Sequence, residues 1–275
     1  MSNIFITDLD HTFLRNDLSI SEFSKNTWNK MAEHYTMGIA TARTFQKAEQ
    51  LLQGVKLNAP MVLLDGSLLV DKNKNIIEAK FISKSMGDEI IAIGESLKFY
   101  PFVLALEKQN VQSEIFVFPT NGNSYQQNLL PRYIKDDNLR QTDSPKAQEK
   151  NFKIVYMGAK EDLEELYDAL HKVFKEQLKY ILAPEAYMDC YFLTLLHKDA
   201  DKAHALRTLN DHLGLDFKNY TVFGDNLNDL GMFELAHTSV AVANAQDALK
   251  KKASFISKYT NDEDAVAHYL KGFTL

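Results

Sequence analysis

The stretch Ile4-Phe5-Ile6-Thr7-Asp8-Leu9-Asp10-His11-Thr12 runs from an unbroken apolar segment straight into two acids. In an α/β protein such a run reads as a buried parallel strand emptying into a loop, and ligands bind at the carboxyl ends of such strands. Three further segments carry similar chemistry: Ile39-Ala40-Thr41-Ala42-Arg43, Asp201-Lys202, and Val222-Phe223-Gly224-Asp225-Asn226-Leu227-Asn228-Asp229. Each presents an acid, a hydroxyl or a cation where an apolar run gives out. The four segments are therefore expected to share one crevice of an α/β fold, a Rossmann-like parallel sheet flanked by helices.

Two carboxylates at i and i+2 crowd negative charge, which is unfavourable unless a cation or a shared proton compensates. Hard oxygen ligands favour Mg²⁺, which takes few protein carboxylates together with water and substrate phosphate. Asp225 and Asp229 supply the further acids such a site needs. Singly, each of these acids also fits a turn or a helix cap. The order and combination of all four segments is what points to a site.

In that order the segments resemble the haloacid dehalogenase superfamily, and within it the Cof-type phosphatases that carry a large α/β cap. The resemblance extends through Val240-Ala241-Val242-Ala243-Asn244-Ala245 to Thr260-Asn261-Asp262-Glu263-Asp264-Ala265-Val266-Ala267. It implies that Asp8 is the nucleophile, forming an aspartyl-phosphate while touching Mg²⁺, and that Asp10 is the general acid and then base, ligating the metal through its backbone carbonyl. Thr41 and the backbone N–H of Ala42 would hold phosphate oxygens. Lys202 would neutralise charge on nucleophile and phosphoryl group, Asp225 would complete the metal site, and Asn228 would contact phosphate. Asp229 would serve the metal site too, either as a ligand or by orienting Lys202 or a metal-bound water. Arg43 is open between gripping phosphate and a surface ion pair.

The resemblance also implies the reaction: Mg²⁺-dependent hydrolysis of a small phosphorylated metabolite, such as a sugar phosphate. A phosphomutase on the same chemistry and a non-catalytic phosphometabolite-binding module are the alternatives. Phosphoryl transfer suits the inventory, because it needs an in-line nucleophile and charge compensation more than covalent machinery. Three positions depart from the family pattern, where glycine is usual: His11, Ala42 and Ala203. None removes a reactive group, but a side chain at such a place narrows the backbone's freedom. His11 reads as a loop residue rather than a second proton carrier.

Composition sets outer bounds. The chain has 275 residues, 45% hydrophobic, with a net charge of −6, which argues against a nucleic-acid surface. The single cysteine, Cys190, cannot form an internal disulfide and reads as core packing. No segment approaches the roughly 20 apolar residues of a membrane span. No signal peptide is expected at the N-terminus, and the expectation is a cytoplasmic protein without membrane contact.

Between the second and third motifs the pattern changes to an α+β unit. The expected boundaries are a catalytic core at 1–82 and 188–275 and an inserted cap at 83–187, with crossovers near Ser83 and Pro184 and a lid function. Strand Tyr191–Leu196 is expected to return the chain to the core. Arg132, Lys135 and Arg140 are candidate substrate contacts in the insert. A helix capped by Ser19 and Glu22 and an irregular stretch over 121–150 are further expectations. Asp65-Gly66 between two apolar runs predicts a hairpin turn, with a place near the substrate as the second reading.

Overall fold

The computed structural model describes residues 3–184 and 188–273. It comprises two compact units, the chain passing from the first to the second after Ala79 and back after Ala200. The first unit is built on a five-stranded parallel sheet. Across it the strands run Phe255–Ile256, Thr238–Ala241, Tyr220–Gly224, Ile4–Thr7, Thr36–Ile39.

Ile4–Thr7 lies inside the sheet, with Thr36–Ile39 on one side and Tyr220–Gly224 on the other. The chain winds outward one way and later the other, so the carboxyl end of Ile4–Thr7 is a topological switch point. Ile4 and Ile6 pack with Val222, Leu206, Leu209 and Met232. Phe5 points the other way, edge-on to Tyr35 and Phe273. Both faces are covered, which explains the continuous apolar run, and full burial of each side chain is worth about 2 kcal/mol.

A parallel bridge from Ala40 to Val62 leads into a small antiparallel sheet of Met61–Leu63, Leu68–Val70 and Ile76–Ala79. Its first turn holds Leu64, Asp65 and Gly66 at φ 52°, 55° and 90°. Gly66 is required here, because a Cβ would strike the backbone carbonyl of Asp201.

The second unit is a seven-stranded, mostly antiparallel sheet. Its main path runs Leu178–Pro184, Tyr191–His197, Lys150–Gly158, Phe102–Leu106, Glu114–Pro119, Leu139–Thr142, and Ile82–Ser83 pairs with the start of Lys150–Gly158. Alternate residues separate its two faces, as a pleated strand requires. Val103, Ala105, Ile154, Tyr156, Leu193 and Leu195 meet helices Lys84–Ser96 and Lys160–Phe174. Phe102, Phe116, Phe118, Val155 and Met157 gather on the other face with Leu129 and Cys190. Cys190 is thus a core residue, as its apolar surroundings suggested.

Several expectations are corrected. Tyr191–His197 does not return to the first sheet; it is hydrogen-bonded on both sides within the inserted one. Its pairing with strands on both sides is a long-range contact that local pattern does not specify. Ser83 and Pro184 accordingly lie in strands of the second unit rather than at crossovers. The expected boundary at 187 falls on Glu185–Tyr187, outside the described residues. The first helix is Glu22–Met31, capped by Ser21, while the Ser19 N–H turns back to Asp17. The 121–150 stretch contains helix Ser124–Leu129, opened by an Asn123/Gln126 capping box, and strand Leu139–Thr142. No described helix is long and apolar enough to cross a membrane.

Gly66→Ala combines left-handed strain with a backbone collision at Asp201. It is expected to destabilise the protein by at least about 2 kcal/mol, read as a lower urea midpoint with an unchanged m-value.

Candidate active site

The Asp8 backbone N–H donates to the Phe223 carbonyl (3.0 Å), carrying the sheet ladder one residue past its strand and fixing where the side chain emerges. Helix Lys202–Leu213 begins opposite. Its cap is Asp201, whose carboxylate accepts from the Ala203 N–H at 2.8 Å. Lys202 is therefore held in the first turn, and its Nζ donates to Asp8 Oδ1 at 2.6 Å and Asp229 Oδ1 at 2.7 Å.

Asp229 is fully buried and its second oxygen is also committed, accepting from the backbone N–H groups of Asp225 (3.0 Å) and Asn226 (3.2 Å). A Cβ on Gly224 would stand 2.5 Å from that carboxylate, which is why the strand ends on glycine. Asp225 accepts from the Thr12 hydroxyl at 2.9 Å. Ligand oxygens of Asp8, Asp225 and Asp229 all lie within 4.8 Å of one another.

Three carboxylates face one ammonium, leaving two negative charges uncompensated if all are ionised. The titration behaviour follows. Asp8 is pushed well above the usual carboxylate range by burial, with Asp229, Asp225 and Asp10 adding and Lys202 opposing. Burial and Asp229 raise Asp225 to about 6, against the Thr12 hydrogen bond and Lys202. For Lys202 burial acts to lower the pKa, but Asp229 and Asp8 outweigh it and keep the ammonium charged. The arrangement fits a hard cation, which would relieve this excess of negative charge.

The second motif lies alongside. Thr41 is buried; its Oγ1 accepts from the Arg43 N–H (3.2 Å) and its carbonyl from the Asp65 N–H (3.1 Å). Arg43 grips Asp10 through two donors, Nε to Oδ2 at 2.8 Å and Nη2 to Oδ1 at 2.5 Å. The Asp10 side chain is thus engaged by a guanidinium and is not one of the three clustered acids. Asn228 donates from Nδ2 to Asp65 Oδ1 at 3.3 Å. Asp65 is buried and adds to the charge around Lys202. The structure places it in the turn and also beside Thr41 and Asn228, so the two readings of this stretch are not exclusive.

Thr12 is a residue whose contact with Asp225 was not foreseen; its place after the two acids was the available signal. The three departures from glycine resolve differently. His11 adopts φ 54°, the left-handed region glycine would enter freely. Ala42 is exposed and lies outside that region. Ala203 is buried against Gly231, where any Cβ would stand 2.8 Å from the alanine methyl.

A buried lysine among clustered carboxylates at a parallel-sheet switch point fits a hydrolase of the phosphatase type. Residues 5–270 match the family model described as haloacid dehalogenase-like hydrolase. The chain belongs to that family. It is 25% identical to the 5-amino-6-(5-phospho-D-ribitylamino)uracil phosphatase YitU of Bacillus subtilis over 272 residues, 97% of this chain and 95% of that protein. A Mycoplasma pneumoniae protein named as a phosphatase is 42% identical over 83 residues, a match spanning 30% of this chain and 29% of that protein. In fold, the chain is similar to a Thermotoga maritima protein, with TM-score 0.82, 22% identity, and coverage of 100% of this chain and 98% of the other.

In the metal-free protein the sign of Asp225's contribution follows from its shift. Its carboxyl titrates near 3.8 when unfolded and about 6 when folded, so the folded state holds the proton more tightly. The stability from this group is present below 3.8 and is lost as pH rises through 6. Asp225→Asn is therefore expected to stabilise the metal-free protein by about 2 kcal/mol at pH 7.5, most of the gain vanishing near pH 4 in urea titrations.

Proposed function

We propose that the chain is a cytoplasmic, Mg²⁺-dependent phosphatase that hydrolyses small phosphorylated metabolites through an aspartyl-phosphate intermediate. The observation carrying this reading is the Lys202 ammonium, 2.6 Å from Asp8, in contact with a cluster of acids at the switch point. Lys202 occupies Asp8 Oδ1 and leaves the other oxygen to attack. Asp8 and Asp225 are the side chains proposed to hold Mg²⁺, with the backbone carbonyl of Asp10; both oxygens of Asp229 already serve Lys202 and the 225–226 backbone. Bound there, the ion would neutralise charge on the nucleophile and the transferring phosphoryl group.

In the first step Asp8 forms a bond to phosphorus as the ester P–O bond breaks, and Asp10 gives its proton to the leaving oxygen. In the second, water attacks phosphorus, Asp10 takes its proton, and the bond to Asp8 breaks to release inorganic phosphate. Thr41 is poised to hold phosphate: its Oγ1 accepts from Arg43, and its own O–H remains to donate. The Ala42 N–H and the second amide hydrogen of Asn228 are proposed as further donors. Asp10 must open its pair with Arg43 before it can carry a proton. An arriving phosphate offers Arg43 an alternative partner, so anion binding and release of the acid are linked.

The inserted unit is proposed to choose the substrate, with Arg132, Lys135 and Arg140 as candidate contacts. The full-length relatives YitU and YcsE are named for a phosphate ester on a ribityl chain, which adds polyol phosphates to sugar phosphates as the substrate class to test. Nothing in the charge of the chain suggests a nucleic-acid partner.

Phosphate release across a panel of sugar and polyol phosphates is expected to require Mg²⁺ and to fall by at least about 1,000-fold in Asp8→Asn, with the circular dichroism spectrum unchanged. An isomeric phosphate ester formed without free phosphate would show a mutase instead. Robust hydrolysis by Asp8→Asn would remove the mechanism.

A further inference from the structure

The Asn244 and Asn261 motifs supply no group to the charge cluster, yet both reach the loop that carries Asp10. Asn244 Nδ2 donates to the His11 carbonyl at 2.8 Å. Its Oδ1 accepts from the Asn261 N–H at 2.9 Å. A backbone N–H only donates, so the amide orientation is fixed: the oxygen faces Asn261 and the NH₂ faces His11. Asn261 is itself immobilised. It sits in a turn closed by the Thr260/Glu263 capping box, and its buried amide donates to the Leu14 carbonyl (3.0 Å) and Asn16 Oδ1 (3.1 Å).

The peptide gripped in this way is the strained one. His11 has φ 54° and ψ 11°, a conformation unfavourable for a residue with a Cβ. On either side stand Asp10, paired with Arg43, and Thr12, whose hydroxyl holds Asp225. If His11 relaxes to a negative φ, the loop rotates at that residue and both neighbours lose their aim. The segment that carries Asn244 also braces the other catalytic loop, since the Gln246 N–H donates to the Asp225 carbonyl at 2.8 Å.

We propose that Asn244 is a positioning residue: its amide holds His11 in the left-handed conformation and thereby sets Asp10 and Thr12 in their working places. The inference rests on the proposed phosphatase reading for its catalytic consequence, while the conformational coupling between residues 244 and 11 stands apart from it. Asn244 is exposed, so truncating it opens no cavity in the core.

The test is a cycle of Asn244→Ala, His11→Gly and the double variant, assayed with p-nitrophenyl phosphate and a polyol phosphate in Mg²⁺, with urea unfolding of each. Asn244→Ala is expected to lower kcat about five-fold, the worth of one hydrogen bond, with KM unchanged. Glycine needs no help to enter the left-handed region, so the double variant is expected to fall within about two-fold of His11→Gly alone. Asn244→Asp keeps the acceptor for Asn261 but loses the donor to His11, and it should slow turnover as Asn244→Ala does. Unchanged kcat in Asn244→Ala, or an equal loss with and without the His11→Gly substitution, would overturn the proposal. If the wild-type protein hydrolyses neither ester, the phosphatase reading fails. The unfolding cycle then decides the inference, coupling between the two sites upholding it and additivity rejecting it.

Discussion

One buried ammonium organises the first unit. Lys202 sits between Asp8 and Asp229 and donates to both carboxylates, so the three side chains hold one another in place. Asp229 passes the constraint on, since its other oxygen gathers the Asp225 and Asn226 N–H groups and leaves room for no side chain at Gly224. On the opposite side, the backbone at Asp201 comes so close to the hairpin turn that only glycine fits at position 66. Three strand ends and a helix start are thus tied to one charge. The same arrangement leaves negative charge in excess, so it holds Asp8 in place and favours a cation beside it.

The clustered charged groups were legible because their types are unusual where apolar runs stop. Asp8, Lys202, Asp225 and Asp229 do converge, and the parallel-sheet reading of Ile4–Thr7 follows from burial on both faces. What escaped was whatever depends on distant partners. Tyr191–His197 has the same local pattern whether it extends one sheet or the other, and only its pairing with Lys150–Gly158 and Leu178–Pro184 decides. Asp65 reads as a turn residue because it is one; its contact with Asn228 lies 163 positions along the chain. Ser21 rather than Ser19 caps the first helix because its hydroxyl accepts from the Ser24 N–H, while the Ser19 N–H donates to Asp17.

The three positions where glycine is usual show that a sequence departure carries no single structural meaning. Ala42 needed no glycine conformation, so the extra methyl meets solvent. Ala203 fills space that its neighbour leaves empty, Gly231 lacking the Cβ that would collide. His11 alone enters the left-handed region, and there the amide of Asn244 braces the peptide from outside. A side chain is therefore accommodated by exposure at position 42, by complementary packing at position 203, and at position 11 with an external hydrogen bond beside it.

These accommodations separate positioning from reactivity. Every carboxylate in the cluster, the lysine, Thr41 and Arg43 belong to the first unit, on strand ends or helix starts whose backbone is fixed by ladder and cap hydrogen bonds. Such groups need little reorganisation during phosphoryl transfer, which is where electrostatic stabilisation is gained. Asp10 is held differently, its side chain 28% exposed and gripped by an arginine rather than by Lys202 or backbone N–H groups. A proton carrier must change partners twice in a cycle, and a carboxylate locked as Asp229 is locked could not do so. On the proposed mechanism the fold thus locks Asp229 among buried partners and leaves Asp10, the acid that has to move, partly exposed beside Arg43.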